Sequence, residues 1–333
     1  MTDTRYDVIG LGNAIVDVIA RADEAFLAKH DLAKGSMHLI GPAQADLLYS
    51  QMGPGMESSG GSAANTIAGI ASLGGSAAFV GKVADDGLGD VFSHDIRALG
   101  VGFETAPLDS GAATGRCLVL VTPDGERTMN TFLGAAQELG PADIDEGTIA
   151  ASRVLYLEGY LWDPDNAKRA FVKAADVAKA AGREVVLTLS DAFCVERYRD
   201  EFLELIRSGT VDLVFANEHE VRALYQTGDL ATAMDSLGGE ARAAVITRSA
   251  EGASIFNTGS RIDVPAQPVP RIVDLTGAGD LYAAGFLFAR VRGMTPEECG
   301  HLAAICASEV ISHVGARPQV SLRDLARENG FPV

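Results

Sequence analysis

Short apolar runs alternate with helical stretches through the second half of this chain, and few folds accommodate that order. Val154-Leu155-Tyr156-Leu157, Val185-Val186-Leu187-Thr188-Leu189, Leu213-Val214-Phe215-Ala216 and Ala244-Val245-Ile246-Thr247 each read as a buried strand. Between them the pattern predicts helices over 166–181, around 197–207 and from Asn217. Strands alternating with helices define an α/β body with a mostly parallel central sheet covered on both faces. Val8-Ile9-Gly10-Leu11 supplies another such run, followed by a helix over 62–73 and a strand over 77–81. Two further helices are expected after Gly279 and over 296–313. The first half also carries strands of another kind. Residues 35–40 read as an edge strand, and 117–121, the turn Pro123-Asp124-Gly125 and 127–132 read as a hairpin.

Bulk properties narrow the function. With 333 residues, 47% of them hydrophobic, the chain buries enough for one large domain or two ordinary ones. The net charge of −18 argues against nucleic acid or an anionic membrane as partner. It leaves ATP open, because a local anion hole outweighs a distant field once salt screens it. Residues 58–81 carry no charge over a length that spans a bilayer, but their Gly, Ser, Ala, Asn and Thr content suits a soluble loop and a tightly packed helix. Cys117, Cys194, Cys299 and Cys306 form no C-x-x-C pair, and 1–7 lacks signal-peptide architecture, so a reducing cytoplasm is expected.

One segment concentrates chemistry. Ile272-Val273-Asp274-Leu275-Thr276-Gly277-Ala278-Gly279-Asp280 runs into Leu281, Ala284, Gly285 and Phe288 at helical spacing, placing a helix start near Gly277 or Ala278. The first N–H groups of a helix lack partners within it, and Gly277, Ala278 and Gly279 do not shield them from a phosphate. Asp280 then stands in the first turn, where the helix terminus is expected to lower its pKa. Taken alone, the segment is equally a glycine turn with a dipole-favoured aspartate. Gly10-Leu11-Gly12 suggests a dinucleotide fingerprint, but Ile15 stands where a third glycine or alanine is needed.

Asp274-Leu275-Thr276-Gly277-Ala278-Gly279-Asp280 resembles the C-terminal signature of the ribokinase-like (PfkB) carbohydrate and nucleoside kinases. Gly60-Gly61-Ser62-Ala63-Ala64-Asn65 with Gly81-Lys82-Val83-Ala84-Asp85-Asp86-Gly87 resembles the N-terminal signature. Gly12-Asn13-Ala14-Ile15-Val16-Asp17 is similar to the opening strand, and Asn217-Glu218-His219-Glu220 to the family's Asn-x-x-Glu. The four stand in the family's order across nearly the whole chain. The resemblance implies a single domain over 1–333: a three-layer α/β/α body with a small β-lid drawn from about 13–45 and 104–133.

It also implies residue roles. Asp280 would be the base that accepts a hydroxyl proton, with Gly277, Ala278 and Gly279 as the anion hole. Asp17, Gly60, Gly61, Asn65 and Glu158 would bind the acceptor, the glycines letting it approach the backbone. Asn217, Thr247, Arg248, Gly252, Gly277 and Gly279 would hold ATP. Glu220 would orient Mg²⁺ through water, although Asn217 and Glu220 also have the spacing of a capping box. Asp274 and Gly315 would lie near a monovalent cation such as K⁺. One departure is Ser249, where many members carry glycine in Thr-x-Gly-x-x-Gly.

For the acceptor, Met37, Leu39, Met129, Phe132, Tyr160, Leu161 and Trp162 offer apolar surface suited to a nucleobase, and equally to a core. Lys34-Gly35-Ser36-Met37, Gly125-Glu126-Arg127-Thr128-Met129 and Glu158-Gly159-Tyr160-Leu161-Trp162 are similar to a bacterial branch of the family with adenosine-kinase activity. The expected reaction is ATP-dependent phosphorylation of adenosine at its 5′-hydroxyl. A ribose or fructose kinase, a guanosine or inosine kinase, and a silent nucleotide-binding regulator stay open. Exposed lid edges make a homodimer an expectation too.

Overall fold

The protein is described here by a computed structural model covering residues 4–257 and 259–333; Met1, Thr2 and Asp3 of the N-terminal stretch lie outside these residues. Its strands are β1 (Tyr6–Leu11), β2 (Ile15–Arg21), β3 (Met37–Leu39), β4 (Gly55–Gly60), β5 (Ala77–Val80), β6 (Gly115–Val121) and β7 (Arg127–Phe132). They continue with β8 (Ser152–Glu158), β9 (Glu184–Thr188), β10 (Leu213–Asn217), β11 (Ala243–Thr247), β12 (Ala253–Asn257) and β13 (Ser260–Val264).

An eight-stranded sheet runs β13-β12-β11-β10-β9-β8-β1-β5. The six strands from β11 to β5 pair in parallel, as the alternating pattern requires. Alternate residues sort to its two faces. On β8, Val154 and Tyr156 pack with the Ser62–Ser72, Ala278–Val291 and Pro296–Val310 helices. Leu155 and Leu157 pack instead with the Asp165–Ala180, Ala192–Arg207, Glu218–Tyr225 and Leu230–Glu240 helices. β12 and β13 close the edge as an antiparallel pair that the apolar-run pattern does not predict.

A second sheet of five strands runs β3-β7-β6-β2-β4. β6 and β7 form the expected hairpin. β4 belongs to this sheet although Gly55–Gly60 lies outside the stretches 13–45 and 104–133, and 104–114 contribute no strand to it. One face packs Val16, Val18, Leu118 and Leu120 with Leu27 and Leu48 of the flanking helices. The other carries Ile15, Cys117 and Val119 with Ile19, Met129 and Leu133 against them.

The uncharged stretch 58–81 is the end of β4, the Ser62–Ser72 helix and β5. Among the described residues no helix is long and apolar enough to cross a membrane. All four cysteines are buried and unpaired.

Candidate active site

The parallel strands deliver their polar ends to one edge of the body. Glu158 ends β8, Asn217 ends β10, Thr247 ends β11, and β1 leads into Gly12 and Asn13. In open α/β sheets, the carboxyl ends of the strands are where ligands bind. The Ala278–Val291 helix begins beside them. Gly277 is its N-cap with φ 80°, and a Cβ there would lie 2.8 Å from that of Ala316, so only glycine fits. The expected hole is narrower than three residues. The Ala278 N–H donates to the Leu275 carbonyl at 3.2 Å, while those of Gly279 and Asp280 have no partner among the described residues. The space beside Gly279 is open.

Asp280 is held from a different helix. Ser62 Oγ donates to its Oδ1 at 2.7 Å and Asn65 Nδ2 to its Oδ2 at 2.9 Å. Thr66 Oγ1 donates to its carbonyl at 3.1 Å. The helix terminus was expected to lower its pKa, and the structure reverses that expectation. Burial raises it, against the bonds from Ser62 and Asn65 and the nearby charge of Arg317. Desolvation of a carboxylate outweighs a dipole that acts only over one turn.

Asp17 lies on β2, on the face shared with Ile15 and Ile19. Burial lifts its pKa to about 6; Arg317 opposes that, and the charge of Asp280 adds to it. The glycines of Gly60-Gly61 serve a purpose other than open backbone. A Cβ on Gly60 would lie 2.5 Å from Asp17 Cγ, and Gly61 has φ 96° with its would-be Cβ against the Asn13 carbonyl. They are therefore demanded by packing around Asp17 and by the turn into the Ser62–Ser72 helix. Asn65 is buried, with Oδ1 unpartnered.

Glu158 was expected to face the substrate, but it is 1% exposed and engaged by protein donors. Oε1 accepts from Asn13 Nδ2 at 2.8 Å and Asn13 N at 3.3 Å, and Oε2 from Ala63 N at 2.9 Å. It pins the β1–β2 connection to the start of the Ser62–Ser72 helix. Burial pushes its pKa up to about 7 in spite of those donors.

Two arginines to which the sequence assigns no role complete the site. Arg317 donates to the Ser59 carbonyl at 2.9 Å, Ser59 Oγ at 3.1 Å and the Ala64 carbonyl at 2.6 Å, bracketing Gly60-Gly61. Burial lowers its pKa to about 10, opposed by Asp17 and Asp280, so it stays charged at neutral pH. Arg127 reaches from β7 to pair with Asp274 at 2.7 Å. Its Nη2 is buried and unpartnered among the described residues.

On the other flank, Asn217 caps the Glu218–Tyr225 helix in a complete capping box. Its Oδ1 accepts from the N–H of His219 and of Glu220. In return, Glu220 takes Asn217 N at 3.0 Å and Nδ2 at 2.6 Å. Burial raises Glu220 to about 7, and Asp191 adds to the shift. Thr247 pairs with Asn217 across β10 and β11, but its hydroxyl turns to the Ala216 carbonyl at 3.4 Å. Arg248 is bound to Glu251, so neither side chain is presented freely to a nucleotide. Gly252 has φ 84° and packs against the Val264–Ala266 backbone. Ser249 adopts φ 50°, a backbone that favours the glycine it replaces.

The metal expectations divide. Among the described residues no three His, Cys, Asp or Glu gather as a cage. Mg²⁺ carried on phosphates needs no cage, and Glu220, with each oxygen holding one bond, fits as a carboxylate acting through water. Asp274 does not fit a monovalent cation. Its Oδ1 accepts from Thr276 N at 3.0 Å and Oγ1 at 2.8 Å, its Oδ2 accepts from Gly315 N at 2.8 Å, and the Arg127 guanidinium stands against Oδ2 as an ion pair at 2.7 Å.

The apolar slot also needs correction. Leu161 and Trp162 are core residues, the indole edge-on to Phe171 at 4.8 Å. Tyr160 donates through its hydroxyl to the Ser190 carbonyl, and Phe132 stacks near Arg116 on the far side of the small sheet. Met37, Leu39 and Met129 do share the face of Asp17, through the registers Asp17–Cys117–Thr131–Leu39 and Ile19–Val119–Met129–Met37.

Comparison with known proteins places this geometry. The model of the pfkB family carbohydrate kinases matches residues 38–322. Adenosine kinase from Sinorhizobium meliloti superposes with a TM-score of 0.92 at 54% identity, covering 98% of this chain and 100% of that one. A probable sugar kinase protein from Rhizobium etli CFN 42 has the same TM-score at 49% identity, covering 98% and 99%. Adenosine kinase 2 of Arabidopsis thaliana is 26% identical over 94% of this chain and 96% of its own length. The chain belongs to the pfkB family of carbohydrate kinases. It has the ribokinase-like α/β fold and is an ATP-dependent phosphotransferase acting on a hydroxyl group.

Proposed function

We propose that the protein transfers the γ-phosphoryl group of ATP to the 5′-hydroxyl of adenosine, giving AMP. The observation that carries this reading is Asp280. Its carboxylate is oriented by Ser62 and Asn65 and raised in pKa by burial, and it stands one residue beyond the unpartnered N–H of Gly279. A base and an anion hole at one point suit proton removal from a hydroxyl as its oxygen attacks phosphorus. The choice of adenosine is supported by the adenosine kinases among its relatives and by the apolar strip of Met37, Leu39 and Met129 beside Asp17.

In this mechanism the small sheet is the lid over the acceptor. Asp17 accepts hydrogen bonds from the sugar hydroxyls, held against Gly60 and under the field of Arg317. Glu158 and Arg317 are positioning residues, fixing Asn13, Ala63, Ser59 and Ala64 around that pocket. The N–H groups of Gly279 and Asp280 meet the transferring phosphoryl oxygens, and Arg127 adds positive charge there. Asn217, Glu220 and Gly252 flank the nucleotide, with Glu220 holding the water shell of phosphate-bound Mg²⁺, which neutralises phosphate charge when present.

The test is ADP release with Mg·ATP across adenosine, guanosine, inosine, ribose, fructose and no acceptor. Adenosine-dependent release with kcat/KM of about 10⁴ M⁻¹s⁻¹ or better supports the reading. Preference for a free sugar would transfer the activity to the sugar-kinase alternative suggested by the Rhizobium relative. ATP binding without release for any acceptor would leave a silent regulator.

A further inference from the structure

The resemblance implies a monovalent cation beside the aspartate that precedes the glycine turn, and in this chain an arginine side chain stands against that aspartate. Asp274 is 6% exposed and makes four contacts: Thr276 N, Thr276 Oγ1, Gly315 N and Arg127 Nη1. Three of the roughly four lone-pair sites of the carboxylate hold hydrogen bonds, and the guanidinium 2.7 Å from Oδ2 opposes a second cation there by its charge and bulk. The guanidinium belongs to this arrangement and is not a surface pairing. The Arg127 side chain is 11% exposed, and Nη1 also lies 3.4 Å from Thr276 Oγ1. It approaches from the same face of the small sheet as Met129, two residues on, while the Gly315 N–H approaches from the loop after the Pro296–Val310 helix. The carboxylate of Asp274 thus gathers two other segments, β7 through the Arg127 charge and the Gly315 loop through its N–H, at the start of the turn.

We propose that Arg127 is the built-in monovalent cation of this enzyme: its guanidinium occupies the cation place at Asp274, and K⁺ neither binds there nor activates the reaction. A guanidinium suits the post. It stays charged throughout the working pH range, and its Nη1 faces Asp274 Oδ2 at 2.7 Å and Thr276 Oγ1 at 3.4 Å together. A buried carboxylate needs a compensating charge, and either a bound ion or an arginine supplies it. This inference rests on the kinase reading above, but its physical core can be tested without turnover.

The test compares the wild type with Arg127→Ala and Arg127→Lys by thermal unfolding in choline chloride, with choline replaced stepwise by K⁺ or Tl⁺ to about 100 mM at constant ionic strength. A ligand that binds only the folded state raises its unfolding temperature. The expected result is a flat response for the wild type and for Arg127→Lys, and a saturable rise for Arg127→Ala. A saturable rise in the wild type overturns the proposal. So does a flat response in Arg127→Ala, because removing the guanidinium would then have opened no cation place. In the kinetic arm, wild-type kcat should change less than twofold between choline and K⁺, while Arg127→Ala should lose activity and regain part of it with K⁺. If no acceptor supports turnover, the kinase reading fails while the unfolding series still decides the cation question.

Discussion

Gly60 and Asp17 occupy each other's space: a single methyl group on Gly60 would lie 2.5 Å from the carboxyl carbon of Asp17. The two sit on neighbouring strands, β4 and β2, and β2 is itself held by β6. Asp17 is the group free to move. Gly60→Ala should therefore rotate its carboxylate away from the acceptor. A misplaced hydrogen-bonding carboxylate costs about 1–3 kcal/mol, so KM for the nucleoside should rise roughly tenfold or more. KM for ATP should hold, and steady-state kinetics with each substrate varied in turn checks the difference.

Asp280→Asn keeps the size of the side chain and removes its basicity. Loss of a positioned base lowers kcat by about 10²–10⁴-fold. Calorimetric titration should still find nucleoside and ATP binding. Near-normal turnover in this variant would disprove the assigned mechanism.

The carboxylates of the site set a pH dependence with opposite signs for activity and stability. Asp17 and Glu158 work as anions and titrate near 6 and 7, so kcat/KM should fall as pH drops from about 7.5 to 5. For stability, the folded protein retains protons on Asp17, Glu158 and Glu220 that the unfolded chain releases from its ordinary values of 3.8 and 4.5. Stability from this source is present at low pH and is lost as pH rises through about 4 to 7. A pH-rate profile and a pH series of thermal unfolding should therefore slope in opposite directions over that window.

Arg317→Met removes the cation facing Asp17 and Asp280 together with three bonds to Ser59 and Ala64. Both carboxylates then lose an influence that lowers their pKa, so the acid limb of the pH-rate profile should shift upward. Arg317→Lys keeps the charge but not the fork. It should restore the position of the limb more fully than it restores KM.

Ser249→Gly should stabilise the protein. Ser249 holds φ 50°, and a non-glycine residue in that region costs about 1–2 kcal/mol. Relief of that strain should raise the unfolding temperature by about 2 °C in a chain of this size. Scanning calorimetry checks it.

Local pattern made some of the site readable. The Gly277–Gly279 turn, its helix and the Asn217–Glu220 cap are each written within a few consecutive residues, as is the β6–β7 hairpin. β4 was not, because Gly-Met-Glu-Ser-Ser-Gly has no apolar alternation and becomes a strand only by pairing with β2. Arg317 was equally hidden: an isolated arginine announces nothing, and Ser59 lies 258 residues away in sequence. The sequence leaves the orientation of Glu158 and Trp162 open for a related reason. It shows a carboxylate at the end of β8 and an aromatic ring just beyond it. Glu158, however, is turned inward by Asn13 and Ala63 from distant segments, and Trp162 lies at the end of a 3₁₀ turn that buries it.

The base and the groups that aim it lie at opposite ends of the polypeptide: Ser62 and Asn65 are 218 and 215 residues from Asp280. During synthesis, the Ser62–Ser72 helix, the small sheet and most of the body leave the ribosome before Asp280 exists. Domains generally fold as units. A chain that ends before Asp280 thus lacks the base, and it also lacks Arg317, which brackets Gly60-Gly61 at the acceptor pocket. The site is therefore whole only when the last fifth of the chain has docked against residues near its beginning.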